Sequence, residues 1–221
     1  MVARIGTAMN DETIDRQARS ALSRYQSMRR LVLAVLVLLL LALLLVGQSI
    51  FPPDSVVHEG IEMFGVLLIF LGIAGRLWST LYIGGRKSEE VVTGGPYSIT
   101  RNPLYVFSSL AAAGVGAQMG SFVAMIGFGL ICAAAFHIVI LREERFLKEA
   151  MGAPYKAYLK AVPRFWPRLS LYQEGNTGSF RPKLLLNTLL DGLVFLVAMP
   201  FFEIIDGAQA SGWLPVLFRI P

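Results

Sequence analysis

Hydrophobic residues along this chain form five long runs, separated by segments that hold nearly all of its charged residues. The runs cover residues 31–51, 60–83, 103–118, 121–141 and 184–205. All except the third contain enough apolar residues to cross a hydrocarbon core about 30 Å thick as an α-helix. The third would reach only about 24 Å, so it begins or ends within the headgroup region. We therefore predict an all-α integral membrane protein with about five transmembrane helices.

The positions of Lys and Arg predict the orientation of these helices. The tail at residues 1–30 carries six arginines and the segment at 142–183 carries nine cationic residues, whereas the loops at 52–59 and 118–121 carry none. We therefore place the N-terminus in the cytosol and the C-terminus outside. The predicted organisation is a basic cytosolic tail at 1–30, a membrane core at 31–183, and a further transmembrane helix with an external C-terminus at 184–221. Such a protein would lie in the inner or plasma membrane of a bacterium, or in the endoplasmic reticulum of a eukaryote.

Composition agrees with this topology and excludes several other functions. Hydrophobic residues make up 55% of the chain and charged residues 16%, with a formal net charge of +5. The basic excess is explained by topology and by attraction to anionic membrane lipids, so we predict no binding of nucleic acid. The single cysteine, Cys132, lies inside a span and rules out a disulfide framework. No cluster with the spacing of metal ligands is visible, and we predict no metal site.

One segment between spans, VTGGPYSITRNPLYV at residues 92–106, contains more specific chemistry than a connector needs. Its glycines and the following proline cannot continue a helix, and they leave backbone N–H groups open to close approach by a ligand. A helix then restarts, with Asn102 as the predicted N-cap and Pro103 as the first helical residue. The unpaired N–H groups of that helix start would stabilise a carboxylate. Taken alone, the segment also fits a tight loop followed by a capped helix.

The linker between the third and fourth spans, QMGS, is so short that the two helices must form an antiparallel hairpin. The cytosolic ends of this hairpin are therefore neighbours. One end is the segment just described, and the other is REERFLKEAMGAPYKAYLKAVPRFWP at residues 142–167. We predict that this second segment starts as a separate amphipathic helix at the membrane interface, which Gly152 and Pro154 end. The tyrosines and the tryptophan after it would lie at headgroup depth.

Two adjacent carboxylates, Glu143 and Glu144, stand where the fourth span leaves the membrane. They repel each other beside an anionic lipid surface, so they need cationic partners. Arg142 or Arg145 on the same helix could serve, and so could a bound sulfonium or ammonium group. The residues alone leave these two interpretations open.

Together the two segments resemble the isoprenylcysteine carboxyl methyltransferase family, within a wider group of membrane methyltransferases that includes phospholipid N-methyltransferases. The shared pattern runs through GPY, R-N-P-x-Y, a helical hairpin, paired acids, G-x-x-Y-x-x-Y and V-P-R, and it spans residues 60–167. The resemblance implies S-adenosylmethionine as methyl donor, bound at the cytosolic end of the hairpin without a Rossmann domain. It also implies a lipid, or a prenylated small molecule or protein, as substrate. Many members of the family have His at the position of Asn102. Because only His titrates near neutral pH, we expect that the residue at this position does not accept a proton in this chain.

The resemblance further implies roles for individual residues. The expected cofactor contacts are Gly94, Gly95, Pro96, Tyr97, Asn102, Pro103, Tyr105, Glu143 and Glu144. The expected substrate contacts are Tyr155, Tyr158 and Arg164, to which the intramembrane charge of Arg76 is added because such charges are functional candidates.

Methyl transfer from a sulfonium is an in-line displacement that chiefly requires positioning of the acceptor. A carboxylate acceptor is already anionic and needs no general base, but an arginine could hold it through a bidentate contact. We therefore assign the catalytic positioning role to Arg164 first and to Arg101 second.

The leading interpretation is a membrane methyltransferase that methylates a carboxylate on a lipid or lipidated substrate. The alternative enzyme is an N- or S-methyltransferase that acts on a phospholipid headgroup or another small molecule. The alternative outside enzymes is a membrane scaffold or a transporter component, which would leave the paired acids and the Gly-Pro-Tyr segment without a purpose.

Overall fold

The computed structural model describes residues 45–83, 91–175 and 181–221. The predicted basic tail and most of the predicted first span lie outside the described residues, as do residues 84–90 and 176–180. The chain divides into two compact units, Met1–Leu45 and Val46–Pro221, and every element described below belongs to the second.

Helices dominate the described part of the chain, which confirms the predicted all-α membrane class. The helices are α1 (Val56–Ile83), α2 (Pro96–Ile99), α3 (Pro103–Ala117), α4 (Phe122–Met151), α5 (Ala153–Ala161), α6 (Pro182–Leu193) and α7 (Ala198–Ala210). Short 3₁₀ turns lie at Leu169–Leu171 and Val194–Val197, and two three-residue strands are β1 (Gly47–Ser49) and β2 (Phe218–Ile220).

Among the described residues, three helical stretches are long and apolar enough to cross a membrane: Val56–Ile83, Phe122–Met151 and Pro182–Ala210. The last combines α6, a 3₁₀ turn and α7. The predicted short span is α3, whose 15 residues reach about 23 Å. Its length agrees with the expectation that it does not cross the whole hydrocarbon layer.

Small residues let α3 pack directly against α1. A Cβ atom added to Gly72 would lie 2.7 Å from the Cβ of Ala111, and one added to Gly114 would lie 2.5 Å from the carbonyl oxygen of Gly65. Such backbone proximity is typical of helix packing in membranes, where dispersion contacts rather than the hydrophobic effect hold helices together. The α1 and α3 axes are thereby fixed, and with them the side chains at their ends.

The C-terminus and the α3–α4 turn lie at the same end of the helices. Strand β2 pairs in parallel with β1, with Gly47 opposite Phe218. The carbonyl oxygen of Pro221 accepts a 3.0 Å hydrogen bond from the backbone N–H of Val123 at the start of α4, and a second from the hydroxyl of Ser121. This grouping agrees with the predicted topology, in which these segments share one side of the membrane.

Two predicted helix boundaries are wrong. The first span was extended to residue 51, but the chain is a strand from Gly47 because its backbone pairs with β2. The amphipathic segment at 142–151 is not a separate interfacial helix either, since α4 continues through it to Met151. Its residues are good helix formers, and the first interruption is Gly152 with φ 64°.

Candidate active site

A cavity of about 300 Å³ lies at the end of the α3–α4 hairpin remote from the C-terminus. The start of α3, the second half of α4, the end of α1 and helix α5 all contribute to its wall. The lining residues are Arg76, Ile83, Val91, Val92, Tyr97, Arg101, Asn102, Pro103, Leu104, Tyr105, Ser108, Phe136, Glu143, Glu144, Leu147, Met151, Tyr155, Tyr158 and Thr188. As predicted, the hairpin brings the two polar segments together.

The glycine turn before α2 supports the wall of this cavity without lining it. Gly95 has φ 57°, a conformation that L side chains rarely adopt, and its ideal Cβ would lie 2.4 Å from the ring of Tyr82. A Cβ on Gly94 would lie 2.4 Å from the Cα of Gly175. Other atoms of the protein therefore fill the space that a side chain would take at either glycine. The glycine turn directs the chain so that Tyr97 faces the cavity.

Hydrogen bonds join the segment before α3 to the segment after α5. The backbone N–H of Arg101 donates to the carbonyl oxygen of Pro163 at 2.9 Å. Asn102 occupies the predicted N-cap position, but its side chain makes no capping bond. Its amide Nδ2 instead donates to the carbonyl oxygen of Arg164 at 2.9 Å. The predicted capping role of Asn102 is therefore wrong, because a backbone acceptor outside α3 takes its side chain.

Glu144 is buried, with 6% of its surface exposed, and it lies between two arginines. Its Oε2 accepts from Arg164 Nε at 3.1 Å and lies 3.0 Å from Arg164 Nη2. Its Oε1 lies 3.4 Å from Arg101 Nε, an ion pair without hydrogen-bond geometry. The partners of Glu144 are therefore cations that reach it from other segments, whereas the sequence suggested Arg142, Arg145 or a ligand.

Two tyrosines of α5 close the cavity opposite α3. Tyr155 and Tyr158 are buried, whereas Trp166 is 78% exposed. Burial, with a smaller contribution from Glu144, raises the pKa of Tyr155 to about 12, and burial also raises the pKa of Tyr158. The hydroxyl of Tyr158 donates to the carbonyl oxygen of Tyr97 at 2.7 Å. Both phenols are therefore neutral at physiological pH.

Arg76 reaches the cavity from within α1. Its Nη1 donates to the hydroxyl of Ser108 on α3, and its guanidinium carbon lies 6.0 Å from the ring centroid of Phe195. Asp191 of α6 attracts it electrostatically, but no ion pair joins Arg76 to a carboxylate among the described residues. Arg76 therefore differs from Arg101 and Arg164, which both lie within ion-pair distance of Glu144.

Buried polar atoms without a hydrogen-bond partner concentrate at this cavity. Within residues 45–83, 91–175 and 181–221, four of the five such atoms belong to lining residues: Arg76 Nε, Tyr97 OH, Arg101 Nε and Glu144 Oε1. Desolvation of a hydroxyl or guanidinium without a partner costs about 1–3 kcal/mol. Native proteins tolerate such groups mainly where a ligand or a water molecule forms the missing hydrogen bond. Arg76 and Tyr97 thus offer two donors to a bound molecule.

The predicted site residues divide into two groups. Those that line the cavity are Arg76, Tyr97, Arg101, Asn102, Pro103, Tyr105, Glu143, Glu144, Tyr155 and Tyr158, and those that do not are Gly94, Gly95, Pro96 and Arg164. Sequence reasoning missed Thr188, which bonds to Thr80 at 3.1 Å and brings the last span into the wall. It also missed the apolar side of the wall, including Phe136, Leu147 and Met151. In the sequence, the helical spacing of Leu147 and Met151 favours a lipid-facing surface.

Comparison with known proteins shows similarity to membrane methyltransferases. The phospholipid methyltransferase family profile matches residues 61–153, which include α1, α3 and α4. Protein-S-isoprenylcysteine O-methyltransferase B of Arabidopsis thaliana is 28% identical over 138 residues, which cover 58% of this chain and 70% of the relative. The similarity therefore includes the segments that build the cavity.

Two further relatives align over most of the chain. The nickel-cobalt-cadmium resistance protein NccN of Alcaligenes xylosoxydans xylosoxydans is 33% identical over 195 residues, covering 85% of this chain and 87% of the relative. The cobalt-zinc-cadmium resistance protein CzcN of Cupriavidus metallidurans is 35% identical over 211 residues, covering 93% and 97%. No solved structure shows a significant match.

Proposed function

Because this chain belongs to the family of membrane methyltransferases that includes the isoprenylcysteine O-methyltransferases, we propose that it methylates a carboxylate on a lipid or lipidated substrate. We further propose S-adenosylmethionine as the methyl donor and the 300 Å³ cavity as the site of transfer. The observation that carries the proposal is the convergence of Arg76, Tyr97, Glu143 and Glu144 on this one cavity.

The residues present fit a cofactor that is cationic at sulfur and has a free amino acid group. Two carboxylates at the wall, Glu143 and Glu144, carry negative charge, and Arg101 and Arg164 lie within ion-pair distance of Glu144. The hydroxyl of Tyr97 is a buried donor without a partner, and the ring of Tyr105 offers an aromatic surface beside Phe136, with centroids 4.7 Å apart. Aromatic faces attract cations and stack on planar bases. When bound, the cofactor would supply an electrophilic methyl group on its sulfonium.

The protein's own contribution is to position the reactants and to exclude water. Burial holds the hydroxyls of Tyr155 and Tyr158 in the neutral form, so neither competes as a nucleophile at physiological pH. Leu147 and Met151 make one side of the wall apolar, which suits the hydrocarbon part of a lipid substrate. Fixed geometry of this kind can lower a bimolecular barrier by several kcal/mol.

The charge of the lining residues supports an anionic acceptor. Arg164, the first choice from the sequence, does not line the cavity, and Arg101 faces Glu144. Arg76 lines the cavity, and its buried Nε has no hydrogen-bond partner. We therefore propose that Arg76 holds the acceptor carboxylate through its planar guanidinium. An amine acceptor would instead have to lose a proton, for which Glu143 is the base within the wall.

A second candidate function is a part in resistance to transition metals. It is favoured by the similarity of NccN and CzcN, named as metal resistance proteins, across most of this chain. Growth of a bacterial host in Co²⁺ would test it: the parent chain should raise the tolerated concentration, and equal tolerance with an empty vector would contradict it.

The chemistry of the product tests the proposed reaction. Purified protein is incubated with S-adenosylmethionine labelled in the methyl group and with a lipid extract, and the labelled product is treated with mild base. A carboxyl methyl ester releases the label as methanol, whereas an N-methyl group retains it. Labelled methanol from the parent, and none from an Arg76→Gln variant, would support the proposal. Base-stable label would favour the alternative acceptor, and no incorporation with any lipid fraction would contradict methyl transfer.

A further inference from the structure

Three potential metal ligands meet at the end of the helices opposite the cavity. The side chains are His58 and Glu62 on α1 and Asp206 on α7, and their ligand atoms all lie within 4.8 Å of one another. Glu62 and Arg76 are 14 residues apart on the same helix, which corresponds to about 21 Å. This cluster is therefore a separate site from the proposed methyl-transfer cavity.

The contacts of His58 place an acceptor beside each of its two ring nitrogens. Nδ1 lies 3.2 Å from the carbonyl oxygen of Phe51, and Nε2 lies 3.2 Å from Glu62 Oε1. Both neighbours are acceptors, and a neutral imidazole carries a single N–H. With Nδ1 donating to Phe51, the lone pair of Nε2 points at a carboxylate. Either a second proton or a metal ion must lie between them.

The arrangement around Nδ1 is the one seen at protein metal sites. A metal-bound histidine commonly donates its other ring N–H to a backbone carbonyl, which fixes the tautomer and the ring orientation. Here the ring is also held by packing, since it is 3% exposed and lies against Gly120, whose ideal Cβ would be 2.2 Å from it. Nε2 is thus a preoriented ligand atom.

Distances and charge also suit a small divalent ion. Two ligands at about 2.0–2.1 Å from a tetrahedral metal lie roughly 3.3 Å apart, close to the 3.2 Å between Nε2 and Glu62 Oε1. The ligand atom of Asp206 lies within 4.8 Å of the other two, so its side chain would have to move closer to complete the set. Glu203, one turn before Asp206 on α7, acts electrostatically on both Glu62 and Asp206. The Glu203 carboxylate thus adds to the negative charge that Glu62 and Asp206 carry when ionised, and a cation would offset that charge.

We infer that His58, Glu62 and Asp206 bind a divalent transition-metal ion at the end of the bundle that holds the C-terminus. One imidazole with two or three carboxylates favours Zn²⁺, Co²⁺ or Ni²⁺, whereas Mg²⁺ and Ca²⁺ prefer oxygen ligands alone. This site cannot be derived from the spacing of its ligands in the sequence, because Asp206 lies 144 positions after Glu62. The ligand atoms of Glu62 and Asp206 come within 4.8 Å of each other only in the folded structure.

Titration of Zn²⁺ into the purified full-length protein in detergent micelles, followed by calorimetry, tests the inference. We expect one saturable site per chain, with affinity at least tenfold weaker in Glu62→Gln and in Asp206→Asn. Neither substitution removes the backbone carbonyl of Glu62, which accepts from Gln118 at 3.1 Å, so the helix contact remains. Co²⁺ titration should give visible absorption bands in the parent that His58→Ala loses.

Two controls make the result decisive. His137→Ala and Glu149→Gln change exposed groups on α4 and should leave Zn²⁺ affinity unchanged. Thermal unfolding without metal checks that each variant is folded. If His58→Ala does not fold, Glu62→Gln and Asp206→Asn are sufficient to test the site. Absence of saturable Zn²⁺ binding in the parent, or unchanged affinity in either carboxylate variant, overturns the metal site. Because no methyl donor is present, this result is independent of the proposed reaction.

Discussion

Glu144 on α4 and Arg164 beyond α5 are joined by two contacts to one carboxylate oxygen, from Nη2 at 3.0 Å and from Nε at 3.1 Å. The second oxygen of Glu144 faces Arg101, which immediately precedes α3. This acid is therefore the junction of three segments, and it holds the chain after α5 against the cavity wall.

Loss of the Glu144 carboxylate should destabilise the fold more than it alters a ligand contact. Glu144→Gln leaves two guanidiniums beside each other without the balancing charge. We expect a loss of about 2 kcal/mol or more in unfolding free energy, below the value for a fully buried pair because Arg164 is partly exposed. Chemical denaturation in detergent micelles measures it. Glu149→Gln, on the exposed side of the same helix, should change stability by less than about 0.5 kcal/mol.

Replacing glycine with alanine should have opposite effects on stability at Gly95 and at Gly127. Gly95→Ala meets both a φ of 57° and the ring of Tyr82, so it should cost about 1–3 kcal/mol. Gly127→Ala lies in the interior of α4 with no atom within 4 Å, so it should stabilise the protein by about 0.5–1 kcal/mol. Unfolding temperatures of the two variants test this. A similar shift in both would contradict the described turn.

High pH should destabilise the protein through Tyr155. Its pKa is raised to about 12 in the folded protein, above the value near 10 of an unfolded chain. A raised pKa means that the stabilising contribution is complete below about pH 10 and is lost as pH rises towards 12. Unfolding temperature should therefore fall more steeply between pH 10 and 12 in the parent than in Tyr155→Phe. Parallel curves would show that Tyr155 is not buried in its neutral form.

Arg76 should affect the acceptor rather than the cofactor. Arg76→Lys keeps the charge but loses the planar guanidinium, so kcat/KM for a carboxylate acceptor should fall at least tenfold, or about 1.4 kcal/mol. The affinity for S-adenosylmethionine should stay within about twofold. Lys148→Gln, an exposed change on α4, is the matched control and should leave both values unchanged. Equal losses in cofactor affinity and acceptor kinetics would argue against the assigned role.

The sequence predicted the architecture near the site because two local signals coincide there. A four-residue linker requires the hairpin, and Gly152 ends α4 as a helix-breaking residue should. The pairing of Glu144 with Arg101 and Arg164 could not be derived in the same way. The pairing depends on how the chain after α5 returns to α3. By sequence spacing alone, several cationic residues of that segment are equally suitable partners for Glu144.

The inward surface of α4 was also beyond prediction. Leu147 and Met151 have the helical spacing of a lipid-facing stripe, and in the structure they face the cavity instead. In a membrane, lipid-facing and cavity-facing surfaces are both apolar, so hydrophobic periodicity does not separate them. The same limit applies to Thr188, because α6 joins the wall only through its packing on α1.

Affinity for S-adenosylmethionine in the parent and in Tyr97→Phe tests the central claim most directly. The hydroxyl of Tyr97 is buried without a hydrogen-bond partner, and burial raises its pKa well above the usual range, so it is a neutral donor. Its removal should leave unfolding stability unchanged or about 1 kcal/mol higher. If the cavity holds the cofactor, calorimetry should show saturable binding to the parent that is at least about fivefold weaker in Tyr97→Phe. Equal affinity in the two proteins, or no binding to the parent, would contradict the assignment of this cavity.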